Sequence, residues 1–256
     1  MIQALDVPPQ IRAILFDKDG TLLDFDRTWS RINLAAARHG ARGDTAVAEH
    51  FLRLGGQDPV TGRTAAGSLF AAGNAVEIAE AWVAAGAAFD HTTLARDLDR
   101  IFAEGMTEAV PLPGVPEVFA QLSGMDLLLG VASSDSEASV RVFVEGLGAA
   151  SSFRFLCGYD SGHGPKPEPG MVQGFAAATG LTADSIAMVG DNTHDLEMAR
   201  RAGAGLAIGV LSGTGTRADL APLADLILDS VAELPAFFVG TSTAAPVLAS
   251  PAPSPT

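Results

Sequence analysis

Short apolar runs, each closed by polar or glycine-rich residues, recur along this 256-residue chain. Such runs are typical of strands buried within a parallel sheet. Helical patterns lie between them, and this alternation predicts an α/β fold, a doubly wound parallel sheet with helices on both faces. The predicted strands cover residues 11–16, 127–132, 153–156 and 186–189, with weaker candidates at 205–210 and 225–228.

The segment between the first two predicted strands is far longer than a single crossover helix. Asp44 and Asp90 stand at N-cap positions, and Gly40 and Gly86 stand where helices end. We therefore expect a helical cap, residues 27–109, inserted into a core formed by residues 1–26 and 110–239. The alternative is two further crossover helices of the same sheet. The predicted cap helices are residues 28–39, 44–54, 68–85 and 90–109.

Composition limits the partners that this chain can be expected to have. Its formal net charge of -14 argues against nucleic acid and against anionic membranes. Cys157 is the only cysteine, so no intramolecular disulfide can form. The first ten residues resemble neither a signal peptide nor a membrane anchor, and we expect a cytoplasmic monomer or homodimer. Residues 240–256 are rich in Pro, Ala, Ser and Thr and predict a disordered tail.

The strongest chemical signal follows the first predicted strand, where the chain reads Phe-Asp-Lys-Asp-Gly-Thr-Leu. Asp17 and Asp19 are one residue apart, just past the carboxyl end of the strand. Ligands of open α/β sheets bind at this edge, and both carboxylates can reach one reacting atom there. The alternative is an ordinary turn, because Asp and Gly are common in turns.

Three further strand ends carry polar residues at the same predicted edge. The second strand is followed by Ser133 and Ser134, and the third by Lys166 in a proline-flanked turn. The fourth leads to Asp191 and Asp195 at the start of a helix. Each taken alone has a plain interpretation, as a helix cap or a turn. Together the four strand ends predict one active site.

These residues and their order resemble the haloacid dehalogenase-like superfamily, specifically its capped (subfamily I) phosphatases similar to phosphoglycolate phosphatase. The resemblance implies a Rossmann-like core, with Asp17 attacking phosphorus to form an aspartyl-phosphate. It implies that Asp19 first protonates the leaving oxygen and then activates water. It also implies one Mg²⁺, bound by the Asp17 carboxylate, the Asp19 backbone carbonyl and Asp191. The substrate expected on this basis is a small phosphorylated metabolite.

The same resemblance assigns the phosphoryl group to Ser133, Ser134 and Lys166. Asp195 is expected to support the metal site or Lys166, and a purely capping role is the alternative. Lys18 and Lys166 are the only lysines in the chain, against 14 arginines. Lysine, a compact point charge, therefore occurs only within the proposed site. The side chain of Lys18 is expected to point toward the cap, away from both aspartates.

Cap residues are expected to select the substrate. Arg63, in a turn-rich loop, is a candidate to bind a substrate carboxylate such as that of 2-phosphoglycolate, with Arg27 and Arg31 as rivals. Each has the alternative of an ordinary solvated arginine. His163 and His194 flank motif residues and are interpreted as exposed loop residues.

Two other functions remain open from the sequence. A sugar-phosphate mutase would use the same two aspartates but return the phosphoryl group to the substrate. A non-catalytic binding protein would retain the fold alone, but every acid, hydroxyl and lysine that catalysis requires is present.

Overall fold

The computed structural model describes residues 11–242. Its centre is a six-stranded sheet in the order β3-β2-β1-β4-β5-β6, and every neighbouring pair is parallel. This order, with β1 in the middle, is that of a doubly wound Rossmann-like sheet. The strands are β1 Ala13–Phe16, β2 Leu128–Ala132, β3 Phe153–Cys157, β4 Ile186–Gly190, β5 Leu206–Val210 and β6 Leu226–Leu228.

Both faces of the sheet are buried, which explains the continuous apolar runs. Alternate side chains of β1 enter different clusters: Ile14 and Phe16 enter one, and Ala13 and Leu15 enter the other. The predicted fold class is therefore confirmed. The helices, in chain order, are α1 Phe25–Gly40, α2 Thr45–Gly55, α3 Leu69–Ala72, α4 Ala75–Ala84, α5 His91–Gly105, α6 Val115–Ser123, α7 Glu137–Gly146, α8 Gly170–Thr179, α9 Thr193–Ala202, α10 Arg217–Leu220 and α11 Leu234–Ser242.

Helices α1 to α5 lie between β1 and β2 and form the helical cap. The chain enters and leaves this cap through two segments that pair with each other, since Asp24 N donates to Val110 O at 2.8 Å and Leu112 N to Leu22 O at 3.0 Å. Asp44 and Asp90 cap α2 and α5, as predicted. The exact division into core and cap domains stays a prediction.

The third predicted cap helix, residues 68–85, is wrong as a single helix. It breaks at Gly73 and Asn74, because the Asn74 side chain accepts the backbone N–H groups of Val76 and Glu77. Glu77 in turn accepts the backbone N–H of Asn74, which completes a capping box. The break turns the backbone of residues 71–75 toward the carboxyl edge of the sheet.

Other boundaries differ by a few residues. Helix α1 begins at Phe25, because the side chain of Asp24 caps it. Helix α5 ends at Gly105, and a 3₁₀ turn, Met106–Glu108, follows it. Residues 240–242, which belong to the predicted disordered tail, form the end of α11. Residues 243–256, like residues 1–10, lie outside the described part, so the rest of that prediction is not tested.

Within residues 11–242, no helix combines the length and the apolar character needed to cross a membrane.

Candidate active site

The first motif turns sharply where β1 ends. Asp17 continues the strand for one residue, because its backbone N–H donates to Val189 O in β4 at 2.8 Å. Gly20 then takes a φ of 84°, a conformation that favours glycine. A Cβ on Gly20 would lie 2.7 Å from Asp191 Oδ2. The glycine therefore permits both the turn and the close approach of the first and fourth motifs.

Lys166 lies between two carboxylates. Its Nζ donates to Asp17 Oδ1 and to Asp195 Oδ1, each at 2.6 Å, and all three side chains are buried. Burial alone would lower the pKa of Lys166, but Asp17 and Asp195 outweigh it and raise that pKa. The ammonium group therefore stays charged. Asp17 Oδ2 accepts no hydrogen bond from residues 11–242, and Asp17 borders the cleft described below.

Asp195 combines the two roles considered for it. While Oδ1 accepts from Lys166, Oδ2 accepts the backbone N–H of Asn192 at 3.1 Å and completes the capping box of α9. Both of its oxygens are therefore occupied within the chain. Asp195 holds Lys166 in place as well as starting the helix.

Three buried carboxylates converge at this edge of the sheet. Asp17, Asp191 and Asp195 each offer an oxygen, and these oxygens lie within 4.8 Å of one another. Burial, with Asp195 as a nearby like charge, raises the pKa of Asp191 to about 7. Burial also raises the pKa of Asp17, although Lys166 opposes this change. One ammonium group thus compensates three carboxylates, a balance that favours a bound cation.

Asp19 is held by donors from three directions. Trp29 of α1 donates its indole N–H to Asp19 Oδ1 at 2.6 Å, and Lys18 Nζ donates to the same oxygen at 2.8 Å. Ser133 Oγ donates to Asp19 Oδ2 at 3.2 Å. The cap therefore touches the proposed acid/base directly through Trp29. Nothing in the sequence indicated this contact.

The prediction that Lys18 points away from both aspartates is wrong for Asp19. Lys18 does reach toward the cap, where it contacts Met106 Sδ at 3.4 Å, but it also pairs with Asp19 and with Asp135 Oδ2 at 3.0 Å. Burial alone would lower the pKa of Lys18, yet these two carboxylates raise it. Its flexible stem lets the ammonium group return to its sequence neighbour. Asp135, which the sequence did not single out as a site residue, is the buried counter-ion.

Ser133 and Ser134 follow β2 as expected. Ser133 is fully buried, and its Oγ accepts the backbone N–H of Asp135 at 3.0 Å as well as donating to Asp19. Ser134 lines the cleft directly. The structure thus brings the ends of β1, β2 and β4 and the turn after β3 to one place, as the motif order predicted.

A cleft, partly open to solvent, separates these strand ends from the cap. The core contributes its acids and Lys166, and the cap contributes aromatic, aliphatic and amide side chains. Arg27, Arg31 and Arg63 do not line it: all three are exposed, and Arg31 pairs with Glu108. The prediction that one of them reaches the substrate is not supported by their placement.

The two histidines near the motifs differ from the prediction. His163 packs its ring 5.5 Å from that of Phe155, against the core. His194 lies in the first turn of α9 and lines the cleft, and its Nδ1 is buried without a hydrogen-bond partner among the described residues. Neither is an exposed loop residue, because the turn after β3 and the start of α9 fold back onto the core.

A family model described as haloacid dehalogenase-like hydrolase matches residues 11–203, which is more than half of the chain. The chain belongs to the haloacid dehalogenase-like hydrolases. The resemblance drawn from the four motifs is thereby confirmed. All four motifs lie within the matched range.

Relatives of this hydrolase carry phosphatase names. The phosphoglycolate phosphatase of Rhodospirillum rubrum is 28% identical over 232 residues, covering 87% of this chain and 89% of that protein. The "Probable phosphatase IndB" of Dickeya dadantii is 38% identical over 147 residues, covering 56% of this chain and 64% of that protein, just under two thirds of its length. These relatives and the family match support a phosphoric monoester hydrolase.

Solved structures share the fold of this hydrolase. A predicted phosphoglycolate phosphatase from Haemophilus somnus superposes with a TM-score of 0.67 at 19% identity, over 89% of this chain and 97% of that one. CbbY from Rhodobacter sphaeroides, solved with phosphate, gives 0.66 at 21% identity, over 88% and 96%. At such identities the likeness extends to the fold alone.

Proposed function

We propose that this chain is a Mg²⁺-dependent phosphatase that hydrolyses a small phosphate monoester through an aspartyl-phosphate on Asp17. The observation that carries the proposal is how the two carboxylate oxygens of Asp17 are used. Lys166 donates a hydrogen bond to Oδ1, while Oδ2, beside the cleft, accepts no hydrogen bond from the described residues. A carboxylate oxygen fixed in this way is oriented to attack phosphorus. Asp19 borders the same cleft.

In the first step, Asp17 Oδ2 forms a bond to phosphorus while the bond from phosphorus to the leaving oxygen breaks. Asp19 gives that oxygen its proton, so an alcohol departs. In the second step, Asp19 takes a proton from water as the water oxygen attacks phosphorus. Inorganic phosphate leaves and the Asp17 carboxylate is restored.

Charge neutralisation is the other requirement of phosphoryl transfer. We assign Lys166, Ser133 and Ser134 to the phosphoryl oxygens. Ser133 donates to Asp19 in the structure, and rotation of its hydroxyl would redirect the hydrogen toward a bound phosphoryl group. Lys166 supplies a permanent positive charge beside the nucleophile.

The residues present fit a magnesium ion. The donors are oxygen atoms, which Mg²⁺ prefers, and the carboxylates outnumber the nearby ammonium group. Asp17, Asp191 and the backbone carbonyl of Asp19 would hold the ion, while Asp195, which accepts hydrogen bonds on both oxygens, would keep Lys166 in place. Asp191 Oδ2 accepts the backbone N–H of Thr214 at 2.7 Å, whereas Oδ1 accepts, within the described part of the chain, only the Thr21 hydroxyl, at 3.3 Å, and is available to the ion. A bound Mg²⁺ would offset the negative charge of the phosphoryl group.

The finer hypothesis of 2-phosphoglycolate as substrate is supported by the names of relatives from Rhodospirillum rubrum and Mesorhizobium japonicum. It also requires a cation for the carboxylate of that substrate, and the candidate arginines lie outside the cleft. A mutase stays a second hypothesis that no feature of the cleft favours. Formation of an isomeric phosphate without release of inorganic phosphate would identify it.

The proposed setting is the cytoplasm, with a small phosphorylated metabolite as the partner. The single cysteine, Cys157, is buried and unpaired, as is usual for proteins of reducing compartments. Comparison of cell fractions with an antibody to the chain tests this location.

Release of inorganic phosphate tests the function. We expect hydrolysis of several small esters that requires Mg²⁺ and stops when EDTA is added. Asp17→Asn should retain less than about 1% of the activity. Asp229→Asn is the matched control, because the side chain of Asp229 is exposed and contacts only Arg217 among the described residues, at 3.9 Å. Activity that survives in Asp17→Asn, or that ignores EDTA, would overturn the proposal.

A further inference from the structure

The cleft lacks a cation for the leaving group of the substrate. Among the described residues that line it, Lys166 is the only lysine or arginine, and it is already engaged by Asp17 and Asp195. Lys18 is fully buried behind Asp19. The other titratable side chains of the lining are carboxylates and the imidazole of His194. Because the phosphoryl group would offset the charge of a bound Mg²⁺, a carboxylate on the leaving group would still enter a site with excess negative charge, at a high desolvation cost.

Asn33 offers the cleft a hydrogen-bond acceptor whose orientation is fixed. The backbone carbonyl oxygen of Ser30 can only accept a hydrogen bond. Gln57 must therefore donate Nε2 to it, at 3.3 Å, and its Oε1 is turned toward Asn33. Asn33 therefore donates Nδ2 to Gln57 Oε1 at 2.9 Å. Its Oδ1 accepts no hydrogen bond from residues 11–242, and the residue lines the cleft.

Asn74 offers the complementary group. Its Oδ1 accepts the backbone N–H groups of Val76 and Glu77 at 3.0 and 3.1 Å, as the N-cap of α4 requires. The Nδ2 group is therefore the end that remains for the cleft, which Asn74 also lines. Two cap amides thus present one acceptor and one donor, and neither carries a charge.

Apolar side chains complete the cap side of the cleft. They are Phe25, Trp29, Ile78 and Phe102. These surfaces stabilise the C–H groups of a ligand and provide no partner for a charge. The cap side as a whole therefore matches a leaving group that is uncharged, partly apolar and able to form hydrogen bonds.

We propose that the substrate is a phosphate monoester whose leaving group is uncharged and carries a hydroxyl or N–H donor for Asn33. This inference rests on the proposed phosphatase function and specifies its substrate class. It ranks 2-phosphoglycolate, with its carboxylate, below neutral esters of similar size. Asn33 is the specificity-determining residue.

A matched pair of esters tests the inference: 2-phosphoglycolate and its carboxamide, which have nearly the same shape and differ in charge. We expect kcat/KM to be at least about tenfold higher for the carboxamide. An equal or higher value for 2-phosphoglycolate overturns the inference and leaves the phosphatase function standing. If neither ester is hydrolysed, and ethyl phosphate is not hydrolysed either, both the inference and the proposed phosphatase function are overturned.

Two variants locate the selectivity. Asn33→Leu should lower kcat/KM for the carboxamide about tenfold relative to ethyl phosphate, which offers no donor. Because both esters are measured on one preparation, this ratio does not depend on the folded fraction. Arg63→Ala, the exposed arginine, should leave the ratio unchanged. An unchanged ratio in Asn33→Leu, or a changed one in Arg63→Ala, would contradict the assignment.

Discussion

The indole N–H of Trp29, in the cap, donates to Asp19 Oδ1, in the core, at 2.6 Å. Lys18 donates to the same oxygen, so Oδ1 is fixed. Within residues 11–242, Oδ2 accepts only the Ser133 hydroxyl, and it is the oxygen that can carry the transferred proton once that hydroxyl turns to the phosphoryl group. The position of the cap and the orientation of the acid/base are therefore linked through one side chain. Trp29 acts as a positioning residue in this account.

Trp29→Phe should lower kcat/KM about tenfold, because a hydrogen bond to a charged group contributes about 1.5–3 kcal/mol. Trp82→Phe is the matched control. Trp82 is also a buried cap tryptophan, but its Nε1 has no hydrogen-bond partner among the described residues. We expect Trp82→Phe to keep its activity. A larger loss of activity in Trp82→Phe than in Trp29→Phe would contradict the positioning role.

Lys18→Met should destabilise the protein by about 3 kcal/mol or more, because it leaves Asp135 as an uncompensated buried charge. Adding Asp135→Asn to Lys18→Met removes that charge and should recover most of the loss. Free energies of unfolding from urea titrations measure both effects. A double variant as unstable as Lys18→Met would show that the ion pair with Asp135 is not the reason why Lys18 stabilises the protein.

Asp99 of α5 accepts a hydrogen bond from Tyr159 of the core at 2.8 Å, and burial raises its pKa to about 6. Asp135 and Asp160 add to this rise. In the unfolded chain its pKa is near 3.8, so the native state binds the proton more tightly. The contribution of Asp99 to stability is therefore most favourable below the unfolded pKa and declines as pH rises through the folded pKa.

Asp99→Asn should remove this decline between roughly pH 4 and pH 7. Allowing for partial exposure, we expect a gain of about 1 kcal/mol near pH 7, or about 2–4 °C in Tm. Tyr159→Phe should shift Tm the other way, since it leaves the carboxylate without its donor. Thermal melts across this pH range measure both variants. A Tm that falls in Asp99→Asn at neutral pH would contradict the assignment.

The sequence predicted the sheet and the four motifs well, because their signals are local. Apolar runs define strands buried on both faces, and the carboxyl ends of parallel strands share one edge. Asp17, Lys166 and Asp191 could therefore be brought together without coordinates. The break before α4 was also detectable, since Asn74 followed three residues later by Glu77 is a capping-box pattern.

The cap contacts could not be predicted in this way. The bond from Trp29 to Asp19 and the chain from Ser30 through Gln57 to Asn33 depend on how helices pack in space. The pairing of Lys18 with Asp19 could not be predicted either, because side-chain alternation holds only within a strand, and β1 ends at Phe16. Past that point, a long side chain can reach its own neighbour.

Trapping the covalent intermediate tests the central claim most directly. The wild type and Asp19→Asn are each mixed with p-nitrophenyl phosphate and quenched in acid after about milliseconds. The p-nitrophenolate leaving group needs no proton from an acid, so Asp19→Asn can still form the intermediate. We predict a burst of about one p-nitrophenolate per active site in Asp19→Asn, because loss of the base slows the second step. Phosphate should be bound to the peptide that contains Asp17, released by hydroxylamine, and absent in Asp17→Asn. Turnover without bound phosphate, or phosphate bound to another residue, would contradict the account.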